Sequence, residues 1–254
     1  MCTVFYLQEL GLLSKNRDKE QYQTEEIVST DELLAVRTLG TDYFSLGVNR
    51  YGCAFASTAV NGPEWTRAVE EGRTEASAEL WRRDTEGRQS PSHLISRLLS
   101  SAQSKEELAQ AITDTKILWR GYNVVLTDRK GGMVVETFGH EVAIRPLAPK
   151  DAITNHFSIL AHGPLLPEDY PSSFQRLAYA RHKLDTMVSL DGLSSAILPN
   201  DRRDQALIWR QGVFCTISST ILDLGNMSLL YAQKPTDKYS RHGFPGKPVG
   251  NGTA

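Results

Sequence analysis

The chain has 254 residues, with 28 basic and 30 acidic side chains and a formal charge of -2. At roughly 150 residues per domain it makes one large domain or two small ones, and 40% hydrophobic with 23% charged residues excludes a disordered or fibrous chain. The near-neutral balance provides no basic footprint for nucleic acid and no polybasic membrane patch.

The chain starts with a run that turns polar at Gln8 and Glu9, too early for a signal peptide, and no apolar stretch approaches the ~20 residues of a membrane helix. A soluble cytoplasmic protein is expected. Residues 2–7 alternate as a strand, and 10–14 continue or return it. Residues 17–44 are polar and charged, with Tyr22, Tyr43 and Phe44 scattered among them, and read as a long functional excursion. Ser45 to Val60 predicts two short strands around Arg50-Tyr51-Gly52. A helix is expected near 65–82 and another over 91–101. A third starts at Ser104-Lys105-Glu106-Glu107, which has capping-box spacing, and runs to about 114.

Three strands follow in YNVVLTD, GGMVVETF and EVAIRPL, with tight turns at Lys130-Gly131-Gly132 and Gly139-His140. AITNHFSIL predicts a further strand. Ser172 to Val188 places Leu177, Leu184, Met187 and Val188 at helical spacing, and a second helix is expected near 191–198. VFCTISSTILDL and MSLLYAQ predict a hairpin across Gly225-Asn226. Residues 234–254 show no periodicity and read as a surface arm or flexible tail. With no repeat and no linker, residues 1–254 read as a single α+β domain of antiparallel sheets with helices outside.

The three cysteines, Cys2, Cys53 and Cys215, form no CxxC pair, which argues against a disulfide framework and a zinc site. Cys53 and Cys215 lie in strand-like runs, where a buried inert thiol is the expectation. Cys2 differs by position. Removal of Met1, which a small second residue permits, leaves a thiol and a free α-amine on one residue. Reference pKa values near 8.5 for the thiol and about 7.7–8.0 for the amine leave roughly one amine in seven neutral at pH 7. Such an amine can take the thiol proton during attack and return it to a leaving amine. The alternative is that Cys2 is simply a small apolar residue of a terminal strand. No GxSxG, HExxH, GxGxxG or P-loop pattern occurs, so neither cofactor nor metal is expected, and His156 reads as a ring propping its strand rather than a base.

Met1-Cys2-Thr3 followed by Lys15-Asn16-Arg17-Asp18 resembles the start of the cysteine-type N-terminal nucleophile (Ntn) hydrolases. That family includes the bile-salt and penicillin V amidases and the isopenicillin-N acyltransferase group. Gly47-Val48-Asn49-Arg50-Tyr51-Gly52 is similar to the family's Gly-x-Asn-x-x-Gly turn, and Thr154-Asn155-His156-Phe157 to its Thr-Asn-His-Phe run. Pro171-Ser172-Ser173-Phe174-Gln175-Arg176 is similar to its Ser-Ser-x-x-Arg helix start. These stretches follow the family's order across residues 2–176.

The resemblance implies a four-layer αββα sandwich of two antiparallel sheets with Cys2 heading a central strand. It implies that Asp18 holds the α-amine, that Asn155 offers its amide to the oxyanion, and that Arg176 stabilises negative charge beside the nucleophile. The family's arginine before asparagine is Lys15 here, and Arg17 returns to the same strand face, so either carries the positive charge. Ala59 stands where the family has asparagine after the turn. A backbone N–H near Ser57 to Ala59, or Asn61 in a shifted register, would then complete the oxyanion hole. An internal cut at Gly52-Cys53 is a competing origin for the nucleophile.

The implied activity is an amidohydrolase cleaving a linear N-acyl amide through an acyl-Cys2 thioester. Transfer of the acyl group to an amine acceptor stays open. So does a non-catalytic binding or trafficking role, because Asn16-Arg17-Asp18 also resembles the NRDE-type proteins. The expected partner is a small-molecule N-acyl amide, with no nucleic acid and no membrane, and a homo-oligomer is left open. Residues 17–44 and the Trp65 region, whose aromatics lack core periodicity, are expected to shape the acyl pocket.

Overall fold

The computed structural model describes residues 2–20, 23–163, 166–197, 214–233 and 238–246. Every residue of β1 (Cys2–Leu7) is buried, and its two faces serve different cores. Val4 and Tyr6 point one way into a core with Leu13, Leu34, Leu46 and Val125. Phe5 and Leu7 point the other way, toward Ala180, Leu184 and Leu193. A strand apolar on both faces belongs inside a sheet covered on both sides. Accordingly β1 lies between β2 (Leu12–Glu20) and β10 (Lys150–Ile153), antiparallel to each.

That sheet continues from β2 to β11 (Phe214–Asp223), β12 (Ser228–Gln233) and β13 (Ser240–Gly243). The second sheet is a seven-stranded meander, with neighbours in chain order. It consists of β3 (Glu25–Ser29), β4 (Leu33–Thr38), β5 (Phe44–Asn49), β6 (Ala54–Ala59), β7 (Trp119–Asp128), β8 (Gly131–Gly139) and β9 (Glu141–Pro146).

Three cores separate four layers. The sheets face each other through Val4, Leu13, Val36 and Val48. The meander's outer face packs Phe55, Leu126 and Val135 on Ile95 and Leu99 of α3 (Pro91–Leu98) and its C-cap, and on Leu108 and Ile112 of α4 (Lys105–Asp114). The first sheet's outer face packs on α5 (Pro171–Leu184) and α6 (Leu190–Ile197). The architecture is the αββα sandwich. Helices α1 (Pro63–Glu70) and α2 (Thr74–Thr85) stand apart from the three cores, and α2 buries none of its residues. No helix among the described residues is long and apolar enough to cross a membrane.

The local chemistry of α4 matches its capping signal: the Ser104 side chain accepts from Glu107 N, and Glu107 reaches back to Gln103 N. The Gly47–Gly52 run is a built turn. Asn49 Nδ2 donates to the carbonyls of Leu99 and Ala102 at 2.6 and 2.7 Å, while its Oδ1 accepts from Tyr51 N and Cys53 N. Gly52 has φ +84, where a side chain is strained, and a Cβ on Gly47 would lie 2.9 Å from that of Ala35.

Four segments differ from the sequence reading. Residues 17–44 are not a loop: β2 runs to Glu20, and β3 and β4 pair beyond it. Ile27, Leu34 and Val36 reach the inter-sheet core, while a cross-strand Glu26–Arg37 pair at 2.6 Å makes the segment look polar. The helix expected near 65–82 is two helices, broken where Gly72 takes φ +72. The strand in AITNHFSIL ends at Ile153, because the backbone beyond it is taken by side chains. Thr154 O accepts from Thr58 Oγ1 and Asn123 Nδ2, and Asn155 N donates to Ser173 Oγ. Within 234–254, Ser240–Gly243 forms an edge strand and Phe244 is buried, whereas 234–237 and 247–254 lie outside the described residues.

Candidate active site

Cys2 shares the parity of Val4 and Tyr6, so its side chain belongs to the gap between the sheets. There it opens on a cavity of about 360 Å³. Lys15, Arg17 and Lys19 on β2 share the parity of Leu13 and line the same cavity. The register sets Arg17 directly opposite Cys2. Ser45, Ala59, Asn61 and Tyr122 line it from the meander and its connections, and α1 and α2 supply Trp65, Ala68, Val69 and Trp81.

Lys15 and Arg17 take different tasks. Lys15 Nζ donates to Ser45 O at 3.0 Å and is also a hydrogen-bonding partner of the Cys2 side chain. Burial pulls this ammonium below the usual lysine range, and the facing thiolate pushes it back. Arg17 forms an ion pair with buried Glu25 and donates to Thr38 Oγ1 at 2.6 Å, tying β2 to the other sheet. The thiol feels both. Burial pushes Cys2 up and Asp18 adds to that, but the positive charges of Lys15, the chain's N-terminal ammonium and Arg17 outweigh them, so the thiol ionises below its ordinary range.

Behind the nucleophile is a buried polar lattice. Arg176, fully buried, donates through Nη1 to Cys2 O at 2.6 Å and Thr3 Oγ1 at 2.9 Å, and through Nη2 to Asn155 Oδ1 at 2.8 Å. Asn155 Oδ1 also accepts from Cys2 N at 2.8 Å, and its amide nitrogen donates to Ala59 O at 2.7 Å. The guanidinium thus sits beside Cys2, as the resemblance implied, and grips its carbonyl. The Asn155 amide, expected at the oxyanion, is turned to Ala59 O, and neither residue lines the cavity. Asp18 is buried on β2, with Oδ1 accepting from Thr216 Oγ1 at 2.7 Å.

His156 stacks on Phe174 with centroids 3.9 Å apart, its Nδ1 is 2.9 Å from Ser173 Oγ, and burial pulls it down to about 4. It props this lattice away from the cavity. Cys53 and Cys215 are fully buried, and burial pushes Cys53 up to about 12. Of the expected pocket segments, Trp65, Gln23 and Tyr43 line the cavity. Sequence reasoning included Lys19 only as part of the 17–44 segment and missed Trp81, Arg120 and Tyr122. Lys19 was legible in principle as the next member of the alternation Lys15, Arg17, Lys19. Arg120 and Tyr122 come from β7 and Trp81 from α2, elements that only the tertiary packing brings to the cavity.

No protein-family model matches the sequence, and no curated protein matches it significantly. Solved structures do. The conjugated bile acid hydrolase of Clostridium perfringens superposes with a TM-score of 0.55 at 13% identity, covering 100% of this chain and 95% of that one. The Caenorhabditis elegans ortholog of N-acylethanolamine-hydrolyzing acid amidase gives 0.55 at 12% identity, over 89% of this chain and 93% of that one. Penicillin V acylase of Agrobacterium tumefaciens gives 0.51 at 12% identity, over 95% and 85%. At such identities the likeness is one of fold: the chain has the Ntn-hydrolase fold, with Cys2 at the head of β1.

Proposed function

We propose that the protein is a cysteine amidohydrolase that cleaves a linear N-acyl amide through an acyl-Cys2 thioester. The observation that carries this reading is the Cys2 thiol opening on the cavity with the Lys15 ammonium against it. Solved structures that share the fold, named conjugated bile acid hydrolase and N-acylethanolamine-hydrolyzing acid amidase, support it.

The reaction starts once removal of Met1 frees the Cys2 amine. One N–H of that amine keeps Asn155 Oδ1, and the lone pair is left for the thiol proton. The neighbouring cations Lys15 and Arg17 disfavour a protonated amine, which keeps its lone pair free to accept. Sγ adds to the substrate carbonyl as its proton passes to the amine, and Asp18 stabilises the resulting ammonium. Asn61, which lines the cavity, supplies a donor to the oxyanion. Collapse breaks the C–N bond, the ammonium returns the proton to the leaving amine, and a thioester remains. Water, deprotonated by the same amine, adds to the thioester and releases the acid and the thiol.

The test is mass spectrometry of the purified protein with a panel of N-acyl amide and acyl-thioester probes. The wild type is one methionine lighter than the encoded chain and gains an acyl adduct on Cys2. Cys2→Ala gains none, Cys2→Ser retains a trace, Asn61→Ala acylates slowly, and Cys53→Ala and Cys215→Ala label normally. Adducts that survive Cys2→Ala, or an active protein that keeps Met1, would defeat the mechanism.

A further inference from the structure

The cavity over Cys2 is one-signed. Lys15, Arg17, Lys19, Arg73 and Arg120 line it, and among the described residues no aspartate or glutamate does. Three of these cations are already engaged. Arg17 is paired with Glu25, Arg73 with Glu71 at 2.6 Å, and Lys15 with Ser45 O and the thiol.

Lys19 and Arg120 are not matched in this way. Neither has an ion pair with a described acidic side chain. Arg120 lays its guanidinium 4.1 Å from the ring centroid of Trp81 and 5.9 Å from that of Tyr122. Stacking of this kind uses the flat face of the group and leaves its edge N–H donors for an acceptor. Lys19 lies close enough for Arg120 to repel it. Burial first, then Arg17, pulls its ammonium down to about 8, a cation short of a counter-charge. Beside this pair, Trp65 and Trp81 approach to 6.1 Å and form an apolar wall.

We infer that the substrate of the proposed amidase is an anionic N-acyl amide, its carboxylate held between Lys19 and Arg120 and its apolar part lying against Trp65 and Trp81. The inference rests on the amidase reading and names that site's substrate class. Two strand residues span about 6.6 Å, so Lys19 rises one such step beyond Arg17, which faces Cys2 in register. A carboxylate on the leaving amine, as in an N-acyl amino acid, falls within a lysine's reach of that point. The same charge at the far end of a dicarboxylic acyl group is the other source.

Calorimetric binding to Cys2→Ala separates recognition from chemistry. The probes are N-octanoylglycine, the neutral N-octanoylglycinamide, and the N-ethyl monoamide of suberic acid, which carries its carboxylate on the acyl half. N-octanoylglycine is expected to bind about tenfold tighter than the glycinamide. Adding Lys19→Met or Arg120→Met should each remove most of that ratio, with an unchanged circular-dichroism spectrum and urea midpoint reporting that the variants are folded. Stronger binding of the suberic monoamide would keep the anion site and place the charge on the acyl half. Equal binding of charged and neutral probes, or a preference that survives both substitutions, overturns the inference. If the anionic probes bind as expected but wild type never acylates on Cys2, the amidase reading fails and the anion site stands.

Discussion

Lys15→Met removes the ammonium that faces the Cys2 thiol and keeps most of its stem. Two unit charges 4 Å apart at an effective dielectric constant of 20 interact by about 4 kcal/mol. Only part of this is realised, because Arg17 stays near the thiol. Taking about half, roughly 2 kcal/mol, the thiol ionises about 1.5 pH units higher in the variant. A more basic thiolate is also the better nucleophile, with a Brønsted slope of ~0.4–0.5, so alkylation at pH 7 falls only roughly five- to tenfold. The midpoint of the pH profile is therefore the sharper readout. Iodoacetamide labelling of Cys2, followed by mass spectrometry from pH 5 to 10, measures it, with buried Cys53 and Cys215 as internal controls. The fold should tolerate the change. Ser45 O loses a donor worth about 1 kcal/mol, and the cost of burying a cation disappears with it. An unchanged alkylation midpoint in a folded variant would show that Lys15 does not set the thiol.

Arg176→Met strips donors from Cys2 O, Thr3 Oγ1 and Asn155 Oδ1 inside the protein. It should cost about 3 kcal/mol of stability in urea unfolding, with a smaller shift of the Cys2 alkylation midpoint than Lys15→Met; the reverse ranking would place the guanidinium at the thiol. His156 is held near 4 when folded and has a reference value near 6.5 when unfolded. The unfolded chain therefore binds the extra proton, and stability falls as pH drops from about 6.5 toward 4. His156→Phe keeps a ring against Phe174 and should flatten that fall by on the order of 2 kcal/mol; parallel stability curves for wild type and variant between pH 4 and 7 would refute it.

Most of the individual strands, turns and helices were legible because their causes are local. The apolar run at residues 4–7, the Asn49 turn with Gly52 at positive φ, and the Ser104 cap each act within a few residues. The segment 17–44 was not legible. Its strands expose charges on one face, and the Arg17–Glu25 pair that buries their other side joins two different sheets.

The site divides the same way. The sequence by itself determined which chemistry stands at the head of β1: a thiol at position two, with cations returning to one face every second residue of β2. Strand periodicity dictates that much without knowledge of any partner strand. Only the tertiary structure decided what each cation does, because a lysine and an arginine on one face are equivalent until the opposing sheet supplies Ser45 O to one and Glu25 to the other. It likewise turned Asn155 and Arg176 onto the backbone of Cys2, and brought Arg120 and Trp81 beside Lys19 from strands and helices remote in the chain. Hydrogen bonds and charges act over a few ångströms, and which groups come that close is set by register and packing between layers rather than by spacing along the chain.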